Sequence, residues 1–191
     1  MKNDTAAAIR NALTNILKRH SMDGITVKWI CLEAGVSKQT FYNHYYGVGE
    51  VLEAICRDIC AEAAGEGKAG EDGGTICRKI LGAVCRHRDV LIHLYRSGRR
   101  EEVGAMLRRE CAALLIPAME ACMEPDAGER EERRYFEEFC LDTFMRILSQ
   151  YAEEGFPEDV GRMGEICDRM IWRSLEESRG ASGEVDQSGK V

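Results

Sequence analysis

Apolar residues recur at three- and four-residue spacing along almost the whole chain, and this periodicity restricts the fold more than any other feature. The clearest stripes lie near the C-terminus, from Tyr135 to Tyr151 and from Val160 to Leu175. Such spacing places apolar side chains on one face of an α-helix. No segment alternates apolar and polar residues as a half-buried strand would. The sequence therefore predicts an all-α fold.

Glycine and proline divide this helical pattern. The segments 65–74 and 124–129 are rich in glycine or contain proline, and both are predicted breaks. Gly155 is expected to end one long helix, and Pro157 to stand in the first turn of the next. Pro117 interrupts another helical stripe, where we expect a kink or a split.

Two short helices are predicted around the turn at Gly35. Thr26 is a candidate N-cap for a helix from Val27 to Ala34, and Ser37 for a second helix that begins at Lys38. Two capped helices joined by a turn of three residues form a helix-turn-helix. The motif has a structural alternative, a helical hairpin with a polar exposed face.

The second helix of this motif should present polar side chains to solvent. Phe41 is expected to point inward, with Ile30 and Val36 as its core partners. The residues left facing outward are Lys38, Gln39, Thr40, Tyr42, Asn43 and His44. Side chains of these types reach base edges or phosphates when their helix lies in the major groove. DNA binding is therefore the favoured interpretation.

The charge distribution points in the same direction. The chain has a net charge of −7, but residues 1–49 contain six basic and three acidic residues, whereas the remainder contains 20 basic and 30 acidic residues. A basic N-terminal segment on an acidic body is a sign asymmetry typical of nucleic-acid binding.

The segment "ITVKWICLEAGVSKQTFYNHYYGVGEVLEAI" (25–55) resembles the DNA-binding region of TetR/AcrR-family transcriptional regulators. Within it, "QTFYNHY" is similar to a branch related to dihydroxyacetone-kinase regulators. The composition of "RGASGEVDQSGKV" (179–191) predicts a disordered tail. The resemblance implies a DNA-binding domain over 1–50 and a helical regulatory and dimerisation domain over 51–178. It also implies a homodimer on a palindromic operator, acting as a repressor and controlled by a small effector of unknown identity.

The resemblance assigns roles to individual residues of the motif. Thr26, Val27 and Lys28 would meet phosphates at the start of the first motif helix. The second motif helix, capped by Ser37, would face bases with one set of side chains and hold the DNA backbone with another. The base-facing set is Lys38, Gln39, Thr40 and Asn43; the backbone set is Tyr42 and His44. One departure is Val48, which stands where the family usually has a phosphate-contacting lysine.

The C-terminal stripes can be interpreted in two ways. They are broad enough to cover both this chain's core and the helices of a partner, which predicts a homodimer through a four-helix bundle. The alternative is that they only close the chain's own core.

Nine cysteines are present, without a CxxC pair, which favours small buried hydrophobic residues over a zinc site or a disulfide framework. The cysteine spacing leaves a redox-sensing thiol as an alternative. No metal-ligand spacing joins the histidines and cysteines, and no cofactor motif is found.

Two other functions are alternatives to a DNA-binding regulator. An all-α enzyme would need a nucleophile–base pair, phosphate loop or metal motif, and the sequence contains none. A co-regulator with the same fold and weak or no DNA binding is the second alternative, and Val48 favours it. No apolar run is long enough for a membrane helix, so we expect a cytoplasmic protein without membrane contact.

Overall fold

The computed structural model describes residues 2–65, 73–122, 130–157 and 159–173. Within these ranges the chain forms nine α-helices and no strand, which confirms the predicted all-α fold. The helices are α1 (Lys2–Leu17), α2 (Val27–Ala34), α3 (Lys38–Tyr42), α4 (Val48–Gly65), α5 (Gly73–Arg86), α6 (Arg88–Tyr95), α7 (Arg100–Cys122), α8 (Arg130–Glu153) and α9 (Val160–Cys167). A π-helical turn, Asp168–Trp172, extends α9. Of the predicted break at 65–74, residues 66–72 lie outside the described residues, whereas Gly65 ends α4 and Gly73 begins α5. The predicted break at 124–129 and the tail over 179–191 also lie outside the described residues.

The first three helices enclose a small apolar centre. Ile9 and Leu13 of α1, Ile30 of α2 and Phe41 of α3 are all fully buried. The α1 helix packs against both α2 and α4, and α2 packs against α3, so α1 links the two short helices to the longer α4. Burial of these side chains supplies the stability that helices of eight and five residues lack on their own.

The α4 helix joins this N-terminal group to the rest of the molecule. It begins at Val48, and its buried face packs against α1, α5 and α7. The expected domain boundary at residue 50 therefore lies in the first turn of α4. That boundary stays a prediction, because one continuous hydrophobic core contains residues from both sides of it.

The α8–α9 connection is held by aromatic packing. Gly155 has a left-handed backbone (φ 82°) and follows the end of α8, as predicted. Phe156 also has a positive φ of 53°, a conformation that costs energy for a residue with a side chain. Its ring is fully buried and meets Tyr95 and Tyr151 edge-on, at centroid distances of 5.8 and 5.6 Å. This packing offsets the strain of the turn.

The start of α9 differs from the prediction. Pro157 lies before the helix, not in its first turn, because α9 begins at Val160. Asp159 is the N-cap, and its Oδ1 accepts a hydrogen bond from the Arg162 backbone N–H at 3.1 Å. A capping carboxylate satisfies a free N–H and complements the helix dipole, so the helix begins after Asp159.

Two other residues that were predicted to interrupt helices also differ from the prediction. Pro117 does not split α7, which runs from Arg100 to Cys122. Its ring is exposed, where water can satisfy the carbonyl left without a donor, while Leu115 and Met119 are fully buried. Gly73 is part of α5, not of the break, and a Cβ there would lie 1.8 Å from the Trp172 ring. Close helix packing accounts for glycine at that position.

Candidate nucleic-acid interface

The first motif helix, α2, is capped at both ends as the sequence predicts. Thr26 has an extended backbone, and its Oγ1 accepts a hydrogen bond from the Trp29 N–H at 3.3 Å. Gly35 ends the helix with φ 66°, a left-handed conformation that glycine adopts without strain. The Val36 N–H then donates to the Cys31 carbonyl at 3.0 Å. The turn direction into α3 follows from this glycine cap.

Hydroxyl groups define the beginning of α3. Ser37 Oγ accepts a hydrogen bond from the Thr40 N–H at 3.0 Å, and the two hydroxyls of Ser37 and Thr40 lie 2.8 Å apart. Both hydroxyls are thus used within the protein. Phe41 anchors the opposite side of the helix in the core, as predicted. A helix of only five residues is thereby held by one cap and one buried ring.

The remaining α3 side chains form the outward face, defined as Lys38, Gln39, Thr40, Tyr42, Asn43 and His44. Four of them are exposed, whereas Thr40 and His44 are half-buried. Gln39 Nε2 donates to Asn43 Oδ1 at 3.3 Å, so the two amides lie side by side one helical turn apart. The helix itself ends at Tyr42, and Asn43 is its C-cap. The outward face therefore combines a cation, two aligned amides and a phenol.

The start of α2 contributes a second group of side chains. Thr26 and Lys28 are exposed, and Val27 is half-buried against the core. Of the three, Lys28 is the one with a free positive charge on a long side chain. Thr26 uses its hydroxyl as the cap, and Val27 has only its backbone N–H to offer a phosphate.

Sequence reasoning missed three residues of this region. Tyr46 is 90% exposed and Leu32 is 81% exposed, both beside the motif. Tyr45, in contrast, is buried, and its Oη accepts a hydrogen bond from Arg10 Nη1 at 3.0 Å. The aromatic run 41–46 indicated that aromatic side chains contribute to the structure of this region. Adjacent tyrosines past the end of a helix have no periodicity that separates the buried ring from the exposed one.

The departure at Val48 has a structural counterpart. Val48 is the first residue of α4, and its side chain is half-buried against the hydrophobic core. The N-terminus of α4 is instead held by Glu50, whose Oε2 accepts a hydrogen bond from the Tyr46 N–H at 2.6 Å. This position therefore adds packing where a lysine would add positive charge.

Large apolar side chains are also exposed on α8 and the π-helical turn, far along the chain from the motif. Tyr135 and Phe139 of α8 are 60% and 62% exposed, and Met170 of the π-helical turn is 53% exposed. Phe144, Leu148 and Ile171 of the same stripes are buried. The stripes thus cover this chain's core and extend beyond it. Leu175 lies outside the described residues.

The thiols are mostly buried, which fits their predicted role as small apolar residues. Burial raises the pKa of Cys56 to about 12 and that of Cys140 to about 11, so both stay protonated near neutral pH. Cys60 is different, because a hydrogen bond with Cys111 lowers its pKa. Among the described residues, no three His, Cys, Asp or Glu side chains are grouped as metal ligands would be.

One histidine of the helical body makes a polar contact within the protein. His87 Nε2 lies 2.8 Å from Glu62 Oε2, an ordinary polar contact between the α5–α6 junction and α4. An open groove of about 520 Å³ is lined by Gly82, Cys85, Arg86, Arg88, Asp89 and Val160. Its shape is that of a surface depression between helices α5, α6 and α9.

No helix in the described ranges has the length and apolar character to span a bilayer.

No family model and no curated protein matches this chain. Several solved structures do match along most of its length. The dihydroxyacetone kinase operon activator DhaS has a TM-score of 0.68 at 14% identity, covering 91% of this chain and 97% of its own. A TetR transcriptional regulator from Streptococcus agalactiae 2603V has a TM-score of 0.64 at 20% identity, with coverages of 89% and 94%. Thermus thermophilus FadR, a TetR-family repressor in complex with lauroyl-CoA, has a TM-score of 0.55 at 17% identity, with coverages of 87% and 93%.

These neighbours agree with the resemblance of residues 25–55, which comes from the sequence alone. At such identities the comparison establishes architecture. The chain therefore has the fold of TetR-family transcriptional regulators, as its helix-turn-helix motif predicted.

Proposed function

We propose that the chain is a sequence-specific DNA-binding transcriptional regulator that acts as a homodimer on a palindromic operator. The observation that carries the proposal is the outward face of α3, where exposed polar side chains stand on a helix that its cap and Phe41 hold in place. Short helices used only for packing have no need of two aligned amides and a cation on their solvent side. A helix entering the major groove needs such groups.

The outward face divides into two roles under this proposal. Gln39 and Asn43 offer paired donor and acceptor atoms to adenine, and Lys38 can donate to guanine. Their mutual hydrogen bond at 3.3 Å keeps both amides in one orientation before DNA arrives. Thr40, whose hydroxyl already bonds to Ser37, contributes its methyl group and shape to base contact.

The second role is to hold the DNA backbone. Tyr42 and His44 donate to phosphate oxygens, which fixes register without reading sequence. At the other side of the motif, Thr26, Val27 and Lys28 meet phosphates, with Lys28 as the charged contact. The N-terminus of α3, capped by Ser37, is included in the interface through its backbone N–H groups.

The homodimer is proposed from the exposed apolar side chains of α8 and the π-helical turn. Two copies can bury Tyr135, Phe139 and Met170 against each other across a two-fold axis. A two-fold dimer presents two α3 helices, which need to stand about 34–36 Å apart to enter successive major grooves. The operator is then a palindrome.

Repression and control by a small effector are also part of the proposal. The solved neighbours include one named an operon activator and one repressor bound to lauroyl-CoA. Their names therefore do not decide between repression and activation, and an experiment has to test it. A reporter gene behind the selected operator should fall in expression when the protein is present. Thermal-shift screening of small metabolites, followed by release of the operator, tests the effector.

A co-regulator that binds DNA weakly or not at all is the second candidate, and Val48 is the observation in its favour. A packed valine at the first residue of α4 supplies no charge to a phosphate. This candidate differs from the first in one measurable property, the affinity for duplex DNA.

Selection of bound duplexes from a random DNA pool tests the function directly. The expected result is enrichment of one palindromic sequence, bound by two chains. Enrichment of no sequence, with equal weak binding to all duplexes, would remove the proposed function and leave the co-regulator.

A further inference from the structure

A partly buried polar network joins the segment after α3 to α1 and α4. Tyr45 lies three residues after the last residue of α3, and it is 7% exposed, with its ring 6.1 Å from that of Phe41. Its Oη accepts a hydrogen bond from Arg10 Nη1 at 3.0 Å and donates one to the Ala6 carbonyl oxygen at 3.4 Å. A ring that only filled the core would not need a hydroxyl group.

Arg10 extends this network to the middle of α4. Its Nε lies 2.6 Å from Asp58 Oδ2, so one guanidinium contacts both the α3–α4 connection and the third turn of α4. The hydrogen bond with Tyr45 and the charge of Asp58 raise the pKa of Arg10, although burial acts in the opposite direction. Asp58 is 56% exposed, and an ion pair of that exposure adds little to global stability.

The network acts where α3 has few other restraints. The α3 helix has five residues, one buried ring and a cap at its first turn. After its C-terminal end, the Tyr46 N–H bonds to Glu50 of α4, and Tyr45 supplies the buried side chain that joins this end to α1. A planar guanidinium with several fixed donors suits a junction of three segments better than a flexible ammonium group.

We propose that Arg10, the Tyr45 hydroxyl and Asp58 act together as positioning residues that set the orientation of α3 relative to α4. The proposal rests on the proposed DNA binding for its consequence, since the orientation of α3 decides where Gln39 and Asn43 meet the two half-sites. The network touches no base itself. Loss of the network should therefore make the dimer less selective for the spacing between the two half-sites of its operator.

The sharpest test is Tyr45→Phe, which removes the hydroxyl and keeps the ring. In the free protein, hydrogen exchange of the amides of residues 41–46 should become about tenfold faster, since a hydrogen bond to a charged group contributes about that factor. On DNA, the variant should lose about tenfold in affinity for the selected operator. It should also tolerate palindromes whose half-sites are moved by one base pair, which the unmodified protein rejects.

Tyr151→Phe is the matched control. It removes another tyrosine hydroxyl, which donates to the Pro157 carbonyl far along the chain from α3. A general loss of stability would appear in both variants, but the tolerance to half-site spacing should appear only in Tyr45→Phe. Arg10→Gln combined with Tyr45→Phe should accelerate exchange by less than the product of the two single factors, because the hydrogen bond between Arg10 and Tyr45 is lost in each single variant.

Three outcomes would overturn the proposal: unchanged exchange of residues 41–46 in Tyr45→Phe, unchanged spacing preference, or equal loosening in Tyr151→Phe. If the unmodified protein binds no DNA, the proposed function fails. Hydrogen exchange in the free protein then still decides whether the network holds α3.

Discussion

The outward face of α3 and the outer face of α8 are both solvent-exposed surfaces of helices, but they carry opposite chemistry. On α3 the exposed side chains are a lysine, two amides and a tyrosine, beside a serine cap and a half-buried histidine. On α8, Tyr135 and Phe139 expose most of their ring surface. The first surface offers directional hydrogen bonds, and the second offers apolar area.

This difference favours different partners for the two surfaces. Hydrogen-bonding groups on a rigid helix gain little by meeting an apolar surface, whereas they match base edges and phosphates. Exposed aromatic rings gain most by being removed from water against another apolar surface. The comparison therefore supports the proposal that the first surface binds nucleic acid and the second binds another copy of the chain.

The largest expected effect is on the α8 surface. Phe139→Glu should convert the dimer to a monomer at micromolar concentration, because an unpaired carboxylate in an apolar interface carries a desolvation cost of several kcal/mol. Light scattering coupled to size exclusion should report about twice the 21.4 kDa chain mass for the unmodified protein. For the variant it should report about the mass of a single chain.

Leu32→Glu is the control for this change, since Leu32 is also a large exposed apolar residue but belongs to α2. Its dimer should be intact. A monomeric unmodified protein, or a Phe139→Glu variant that stays dimeric, would contradict the assignment of the α8 surface to a second copy.

The second effect concerns the cap that holds the α3 surface in place. Ser37→Ala removes the acceptor for the Thr40 N–H and should lower the free energy of unfolding by about 0.5–2 kcal/mol. Urea denaturation measures it. Ser21→Ala removes an exposed loop hydroxyl that caps no helix, and should change stability by less than about 0.5 kcal/mol. Equal effects of the two would show that α3 does not depend on its cap.

Much of the α3 region could be predicted from the sequence because its structure is determined locally. Thr26, Gly35 and Ser37 each act on backbone groups a few residues away, so their spacing alone indicates the two helices and the turn. Phe41 follows from the same spacing, since the core partner of a capped short helix has few alternative positions.

Other features depend on contacts between distant residues, which periodicity does not report. The pairing of Tyr45 with Arg10 joins residues 35 apart, and no local signal separates Tyr45 from Tyr46. The need for glycine at position 73 comes from the ring of Trp172, far along the chain. Pro117 stays within α7 because its neighbours are buried and its ring is exposed. Continuing the helix therefore costs less free energy than breaking it.

A smaller effect is expected at the edge of the α3 surface. Val48→Lys should add one phosphate contact in each subunit, and so steepen the slope of log affinity against log salt by about one per contact. Titrations of the operator at several salt concentrations measure it. Val48→Met, which adds length without charge, should leave the slope unchanged. A slope that Val48→Lys does not change would show that this position does not face the DNA backbone.

The central claim is that the outward face of α3 reads sequence with Gln39 and Asn43 and holds the backbone with Tyr42. Its most direct test is titration of Gln39→Ala, Asn43→Ala and Tyr42→Phe against the selected operator, its single-base variants and a scrambled duplex. Each alanine variant should lose about 1–3 kcal/mol of binding free energy and discriminate less at one or two base positions per half-site. Tyr42→Phe should instead weaken binding to all duplexes about equally. If Gln39→Ala and Asn43→Ala weaken every duplex alike, both side chains contact the backbone and the assignment of the reading face is wrong.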